Sequence, residues 1–256
     1  YMALNLGLSG VGNSGHDIGG FSGPRPSPEL FLRWIQHGIF YPRFVIHSWK
    51  AEGVNEPWMY PEIVPQIRKL FELRESLSAY FYQVLKRSHD TFEPFLRPLF
   101  FDFETDRKSF EAKDVFMVGP DLLVANVLDE GVKTREVYLP QNDGGWFEFS
   151  TGKHFEGGRA HTLKVDLESV PFFVRSGSVL PIKTAKGIEL RIYSDGRSKF
   201  ASSYFDDDGM SFPFRERDGI RIQIDVDGLQ VKLLKVGEFP APEMMFTHVS
   251  GEKVKT

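Results

Sequence analysis

Gly15-His16-Asp17-Ile18-Gly19-Gly20-Phe21 places a carboxylate and an imidazole at the end of a short run bounded by glycine, where small residues let a ligand approach the backbone closely. Alone, the stretch fits an ordinary turn with an aspartate cap equally well. A second stretch changes its meaning: in Phe40-Tyr41-Pro42-Arg43-Phe44-Val45-Ile46-His47-Ser48-Trp49 an apolar strand again runs into polar and aromatic positions. Between the two, Ser27 can cap and Pro28 can open a helix whose apolar face is Leu30, Phe31, Trp34 and Ile35, ending at Gly38. Strand, helix and strand make a βαβ unit, whose strands run parallel and whose C-terminal ends share one face. Asp17 and His47 are therefore expected to converge on one pocket, with Phe21, Trp49 and Trp58 as flat walls. Aromatic faces combined with a few hydrogen-bonding groups suit a sugar, which offers C–H surfaces and directional hydroxyls.

Outward from this unit, Pro61 is read as opening a long amphipathic helix, with Ile63, Ile67, Leu70, Phe71, Leu77, Phe81 and Val84 at three- and four-residue intervals, ending near Lys86 to Asp90. Elsewhere in residues 1–60 helical periodicity is confined to the Pro28 segment. From about Phe95 the pattern becomes short runs of β-branched and aromatic residues between turn signals: Val115 to Val118, Leu122 to Val127, Arg135 to Leu139, Trp146 to Phe149, Phe172 to Val174, Ile188 to Tyr193, Ser202 to Phe205, Ile220 to Val226 and Leu229 to Val236. Strands so spaced indicate antiparallel sandwiches. The expected fold is thus α/β followed by all-β: the end of a barrel over 1–90, a proximal sandwich over 91–181 and a distal one over 182–256, the last two joined by the polar stretch Lys183 to Gly187.

Composition narrows the function. The 256 residues carry 31 Lys and Arg against 35 Asp and Glu, a net charge of -4, which gives no general attraction to nucleic acid or anionic lipid. No apolar run approaches the ~20 residues of a membrane span, and no basic flank precedes an apolar stretch at the start. The absence of cysteine removes disulfides, thiolate metal sites and cysteine nucleophiles. Gly10-Val11-Gly12-Asn13-Ser14-Gly15 matches a dinucleotide fingerprint, but further glycines and Pro24 and Pro26 stand where the phosphate-binding helix should begin, so no cofactor is expected. Asp206-Asp207-Asp208-Gly209 lacks the alternating ligands of a calcium loop and reads as a turn, and His89, His154, His161 and His248 are scattered singly, so no metal is assigned.

The first motif, followed by Pro28-Glu29-Leu30, Arg33-Trp34, Phe40-Tyr41-Pro42 and His47, resembles glycoside hydrolase family 31, which includes α-glucosidases and α-xylosidases. Arg68 to Arg74 and Leu77 to Tyr82 are similar to its last barrel helix. Arg97-Pro98-Leu99 is similar to the strand beyond it, Phe116 to Ala125 and Val174 to Pro181 to its proximal sandwich, and Tyr204 to Gly209 to its distal one. The resemblance implies that residues 1–60 supply about strands seven and eight of a (β/α)8 barrel. It also implies that Asp17 and His47 line the subsite of the sugar whose bond is cleaved, and that Phe21 lies at the pocket mouth, while Trp49 remains one of the flat walls.

It implies further a retaining mechanism with two carboxylates about 5–5.5 Å apart, both upstream of the matching region. The chain reads as entered midway, and no residue of it is assigned as catalytic. The expected partners are an α-linked oligosaccharide or glycoside and the remainder of the barrel; exposed strand edges also make self-association a possibility. Two rival readings are a carbohydrate-binding module using Trp146, Phe147 and Phe155, and a purely structural brace.

Overall fold

The computed structural model describes residues 1–49, 54–210, 219–236 and 242–249, so parts of the expected distal region lie outside the described residues. A short helix absent from the sequence reading comes first, α1 (Met2–Leu8). Its backbone approaches the sheet closely enough that a Cβ on Gly7 would stand 2.7 Å from the Leu96 carbonyl oxygen. Seven residues make too little helix to hold by themselves, and docking of Ala3 and Leu4 on the core holds this one in place. Then follow β1 (Asp17–Ile18), α2 (Pro28–Gly38) and β2 (Val45–Ile46). The Ser27 Oγ accepts from the Leu30 amide at 3.1 Å and Pro28 occupies the first turn of α2, as its sequence dictates.

The long helix expected from Pro61 is two helices preceded by single 3-10 turns at Pro57–Met59 and Pro61–Ile63. These are α3 (Val64–Ser76) and α4 (Ser78–Thr91). The break has a local cause. Ser76 Oγ donates to the Leu73 carbonyl (2.7 Å) and Ser78 Oγ to the Glu75 carbonyl (2.6 Å), on either side of Leu77, which is wholly buried. Serine hydroxyls that bond back to the preceding turn bend a helix, and here they let both halves follow the core.

At its end α4 is capped by Phe92 in the left-handed conformation, φ 62°, with the ring 86% exposed. A β-carbon there costs about 1–2 kcal/mol, and the ring buries almost nothing in return. Phe92→Gly is therefore expected to stabilise the protein by about 1 kcal/mol, read as a higher midpoint of urea unfolding with unchanged m-value. A lower midpoint would show that the ring contributes packing after all.

The chain continues through β3 (Leu96–Arg97), α5 (Leu99–Asp102), β4 (Phe116–Val118), β5 (Leu122–Val124), β6 (Thr134–Leu139), β7 (Trp146–Glu148), β8 (His154–Phe155), β9 (Arg159–Lys164) and β10 (Phe172–Arg175). A six-stranded antiparallel sheet of order β3-β4-β5-β10-β7-β8 dominates this part, and β6 pairs with β9 in a separate ribbon. Residues 116–118, 122–124 and 172–174 of its strands are apolar throughout because both faces are covered. Phe116, Val118, Leu122, Val124, Phe147, Phe172 and Val174 face a core shared with α2, α3 and α4. Met117, Leu123, Trp146 and Phe173 face a second core with Val137, Leu139 and Leu163 of the ribbon. Trp146 and Phe147 are 0% and 1% exposed, so they cannot present the sugar-binding surface that the carbohydrate-module reading required.

The last strands are β11 (Ser178–Thr184), β12 (Gly187–Tyr193), β13 (Lys199–Asp206), β14 (Ile220–Asp227), β15 (Gln230–Val236) and β16 (Met244–Val249). They form two three-stranded sheets, β11-β12-β16 and β13-β14-β15, around a third core. Here β12 and β14 alternate buried and open positions, the mark of sheets covered on one face. Two sequence expectations fail. Residues 183–187 are the tip of the β11–β12 hairpin, turning at 185–186, and not a joint, since β11 runs unbroken through Ile182 to Thr184. And β16 pairs with β12 in parallel, so this region is not wholly antiparallel.

Polar clasps tie the layers. Asn126 Nδ2 donates to the Gln36 carbonyl (2.8 Å) and Gln36 Nε2 to the Leu167 carbonyl (2.7 Å), joining α2 to the six-stranded region. The Gln83 amide on α4 pairs with the backbone of Phe205 in both directions, at 2.9 and 2.7 Å.

Candidate sugar site

β1 and β2 pair in parallel with Asp17 opposite Val45 and Ile18 opposite Ile46. Paired residues of parallel strands point to the same face and successive residues alternate. Ile18, 1% exposed and against Gly38 of α2, marks the inner face. Asp17 and Val45 therefore lie on the opposite one. The pairing continues one residue further, the His47 amide donating to the Ile18 carbonyl at 3.4 Å, which returns the His47 side chain to the face of Asp17.

The turn after β1 brings the aromatics in. Gly19 has φ 92°, a conformation that side-chain-bearing residues rarely adopt, and a Cβ there would stand 2.9 Å from the Phe31 ring. This bend places Phe21 so that its ring is 5.7 Å from His47 and stacked at 6.3 Å and 10° on Trp49. Phe21 and Trp49 are about half exposed, and Trp58 more so. Three of the four expected site residues, Phe21, His47 and Trp49, thus form one aromatic group. The fourth, Asp17, opens β1 and has its carboxylate 3.5 Å from the Arg43 guanidinium.

Residues the sequence reading passed over hold this surface. Asn55, 8% exposed, donates from Nδ2 to the Gly19 carbonyl (2.9 Å) and from its backbone N–H to the Ser48 hydroxyl oxygen (3.1 Å), so one residue fastens both strand ends. Arg74 of α3 donates to the carbonyls of Ile39, Tyr41 and Pro42 and lies 4.9 Å over the Phe44 ring, fixing the approach to β2. A polar residue at a helix end facing a run of carbonyls was the available signal for Arg74; for Asn55 only its place before Glu56-Pro57 could have raised it. Among the described residues, two cavities of about 590 and 640 Å³ are lined by other residues, near Arg135 and near Arg221 respectively. Asp206 ends β13, and Asp207 just beyond it accepts from the Tyr82 hydroxyl at 2.7 Å.

This parallel strand pair, beside helices and ahead of a β-rich region, coincides with what comparison with known proteins finds. Family models described as the TIM-barrel domain and the C-terminal domain of glycosyl hydrolase family 31 match residues 1–84 and 92–180. The chain belongs to glycosyl hydrolase family 31. Among family 31 relatives, alpha-glucosidase 2 of Bacillus thermoamyloliquefaciens is 33% identical over 235 residues, covering 88% of this chain and 30% of that protein. A probable glucan 1,3-alpha-glucosidase of Oryza sativa subsp. japonica is 39% identical over 183 residues, 71% of this chain and 20% of that one. The family 31 dextranase of Flavobacterium johnsoniae, solved with glucose, superposes with a TM-score of 0.86 at 25% identity, covering 96% of this chain and 33% of that one. The chain spans less than a third of the length of the two curated relatives named.

Proposed function

We propose that this chain contributes part of the sugar subsite of a retaining α-glycoside hydrolase of the α-glucosidase type, which hydrolyses O-glycosidic bonds. Asp17 and His47 bind the hydroxyls of the sugar, and Phe21 and Trp49 give it apolar walls. The observation that supports the reading is the parallel register of β1 and β2, with Asp17 opposite Val45 and His47 two residues beyond it. Support comes from the relatives named as α-glucosidases and from the likeness to a dextranase solved with glucose. In this reading residues 1–90 close the end of a (β/α)8 barrel, and the two β regions beyond are a proximal and a distal sandwich that brace it. The nucleophile and the acid–base carboxylate come from other parts of a barrel, so these residues orient substrate and do not turn it over.

Calorimetric titration of the 256-residue chain with glucose and with an α-linked trisaccharide tests this. His47→Ala is expected to weaken both at least about tenfold, which is about 1.4 kcal/mol, with no hydrolysis of a chromogenic α-glucoside. Affinity unchanged in both His47→Ala and Asp17→Asn would remove the sugar site from this surface; turnover by the purified chain would place the catalytic pair within it.

A further inference from the structure

Behind Asp17 lies a pair of histidines that the sugar site does not use. The His16 ring is wedged between Trp34, stacked at 6.3 Å, and Tyr41, edge-on at 4.7 Å, with the His37 ring 5.8 Å away. His37 in turn rests on Tyr41 and on Phe116 of the six-stranded sheet, at 5.1 and 5.5 Å. The rings thus form a continuous stack from the residue before Asp17 to the sheet. Its nitrogens are under-supplied: His37 Nε2 meets the Tyr41 hydroxyl at 3.1 Å, but His16 Nε2 and His37 Nδ1 are buried without a partner.

A neutral imidazole can leave a lone pair unpaired at modest cost, whereas an imidazolium carries two N–H donors and a charge that must all be compensated. We propose that His16 and His37 are positioning residues for Asp17, a support that holds the end of β1 in place only while both rings are neutral.

The surroundings agree. Burial lowers the proton affinity of His16, the Asp17 carboxylate partly opposes this, and the Arg43 guanidinium adds to it. Burial pushes His37 down to about 4, with His16 acting in the same direction. Tyr41, pushed up to about 12 by burial, stays a neutral phenol throughout; Trp34 and Phe116 bring no charge. The sign follows directly. The unfolded chain takes up these protons near the ordinary histidine value of about 6.5, before the folded protein does. The support is therefore fully present above that value and is lost as pH falls toward 4.

NMR of the 256-residue chain, titrated from pH about 7 to about 4, tests the support directly. The amides of Ile18 and Gly19 are expected to shift with the midpoints of the His16 and His37 rings, and the part of the shift that follows His37 is expected to vanish in His37→Phe. Amides that stay fixed while the rings titrate, or that keep the same midpoint in His37→Phe, overturn the proposal. Glucose titration gives a second arm, which rests on the sugar-site reading. Affinity is expected to fall more than about tenfold on acidification in the wild type and less than about threefold in His37→Phe. Equal losses in both count against the support, whereas no glucose binding at neutral pH would sink the sugar site and leave the amide test standing.

Discussion

Arg97→Met is expected to lower the unfolding free energy by about 3–5 kcal/mol at neutral pH, the usual result of removing one member of a buried ion pair. Arg97 is 1% exposed and serves three groups at once. Its Nη1 donates to Glu93 Oε2 and its Nε to the Gly119 carbonyl, both at 3.1 Å, while Asp102 Oδ2 lies 3.1 Å from the same Nε. Because that N–H is aimed at Gly119, Asp102 Oδ2 gains compensating charge without a hydrogen bond. Burial already holds the Asp102 carboxyl above its ordinary range, with Arg97 the main opposing influence.

Removing the guanidinium strands a carboxylate in the interior, and that carboxyl then rises further. A raised carboxyl contributes stability that is fully present below its unfolded value and is lost as pH rises through the folded one. The deficit of Arg97→Met should accordingly be largest at neutral pH and shrink toward pH about 4, and adding Asp102→Asn should recover part of it. Denaturant unfolding of the single and double variants at both pH values measures this. A deficit independent of pH and unrelieved by Asp102→Asn would mean that Arg97 acts through packing alone.

Gly15→Ala is expected to cost about 3 kcal/mol or more and to abolish glucose binding. A Cβ at Gly15 would stand 2.2 Å from the Arg43 carbonyl oxygen and 2.7 Å from the Arg43 Cβ. Neither is the far end of a flexible side chain, so the two strands must separate. Overpacking a close-packed site usually costs about 1–3 kcal/mol, more when backbone has to move. The first pairing to suffer is the Arg43 amide to the Ser14 carbonyl, 3.2 Å, which precedes the Asp17–Val45 register. Thermal unfolding and glucose titration of the same variant check both halves. Normal sugar affinity in a folded Gly15→Ala protein would separate the strand spacing from the binding surface.

The parts of this structure legible from sequence are those written in local pattern. Ser27 and Pro28 announce α2, and glycines around His16 and Asp17 announce a strand end that something must approach. What escaped was set by distant packing. The runs at 116–118, 122–124 and 172–174 are apolar throughout because barrel helices cover one face of their sheet and a ribbon the other, and nothing local distinguishes a twice-covered strand from an exposed aromatic platform. That is why Trp146 and Phe147 were available to a rival reading. The parallel pairing of β16 with β12 joins residues 244–249 to 188–193, beyond the reach of turn chemistry. Asn55 and Arg74 are single polar residues whose value lies in the carbonyls they meet.

The sheet covered on both faces has a bearing on how the chain is made. The core that helices α2 to α4 share with the sheet is complete only once β4, β5 and β10 exist. A ribosome adding about 5–20 residues per second takes on the order of 10 s to go from Val84 to Val174. Through that interval Phe40 is synthesised without the Phe172 ring that it meets at 5.1 Å, an opening for chaperones and for misassembly alike.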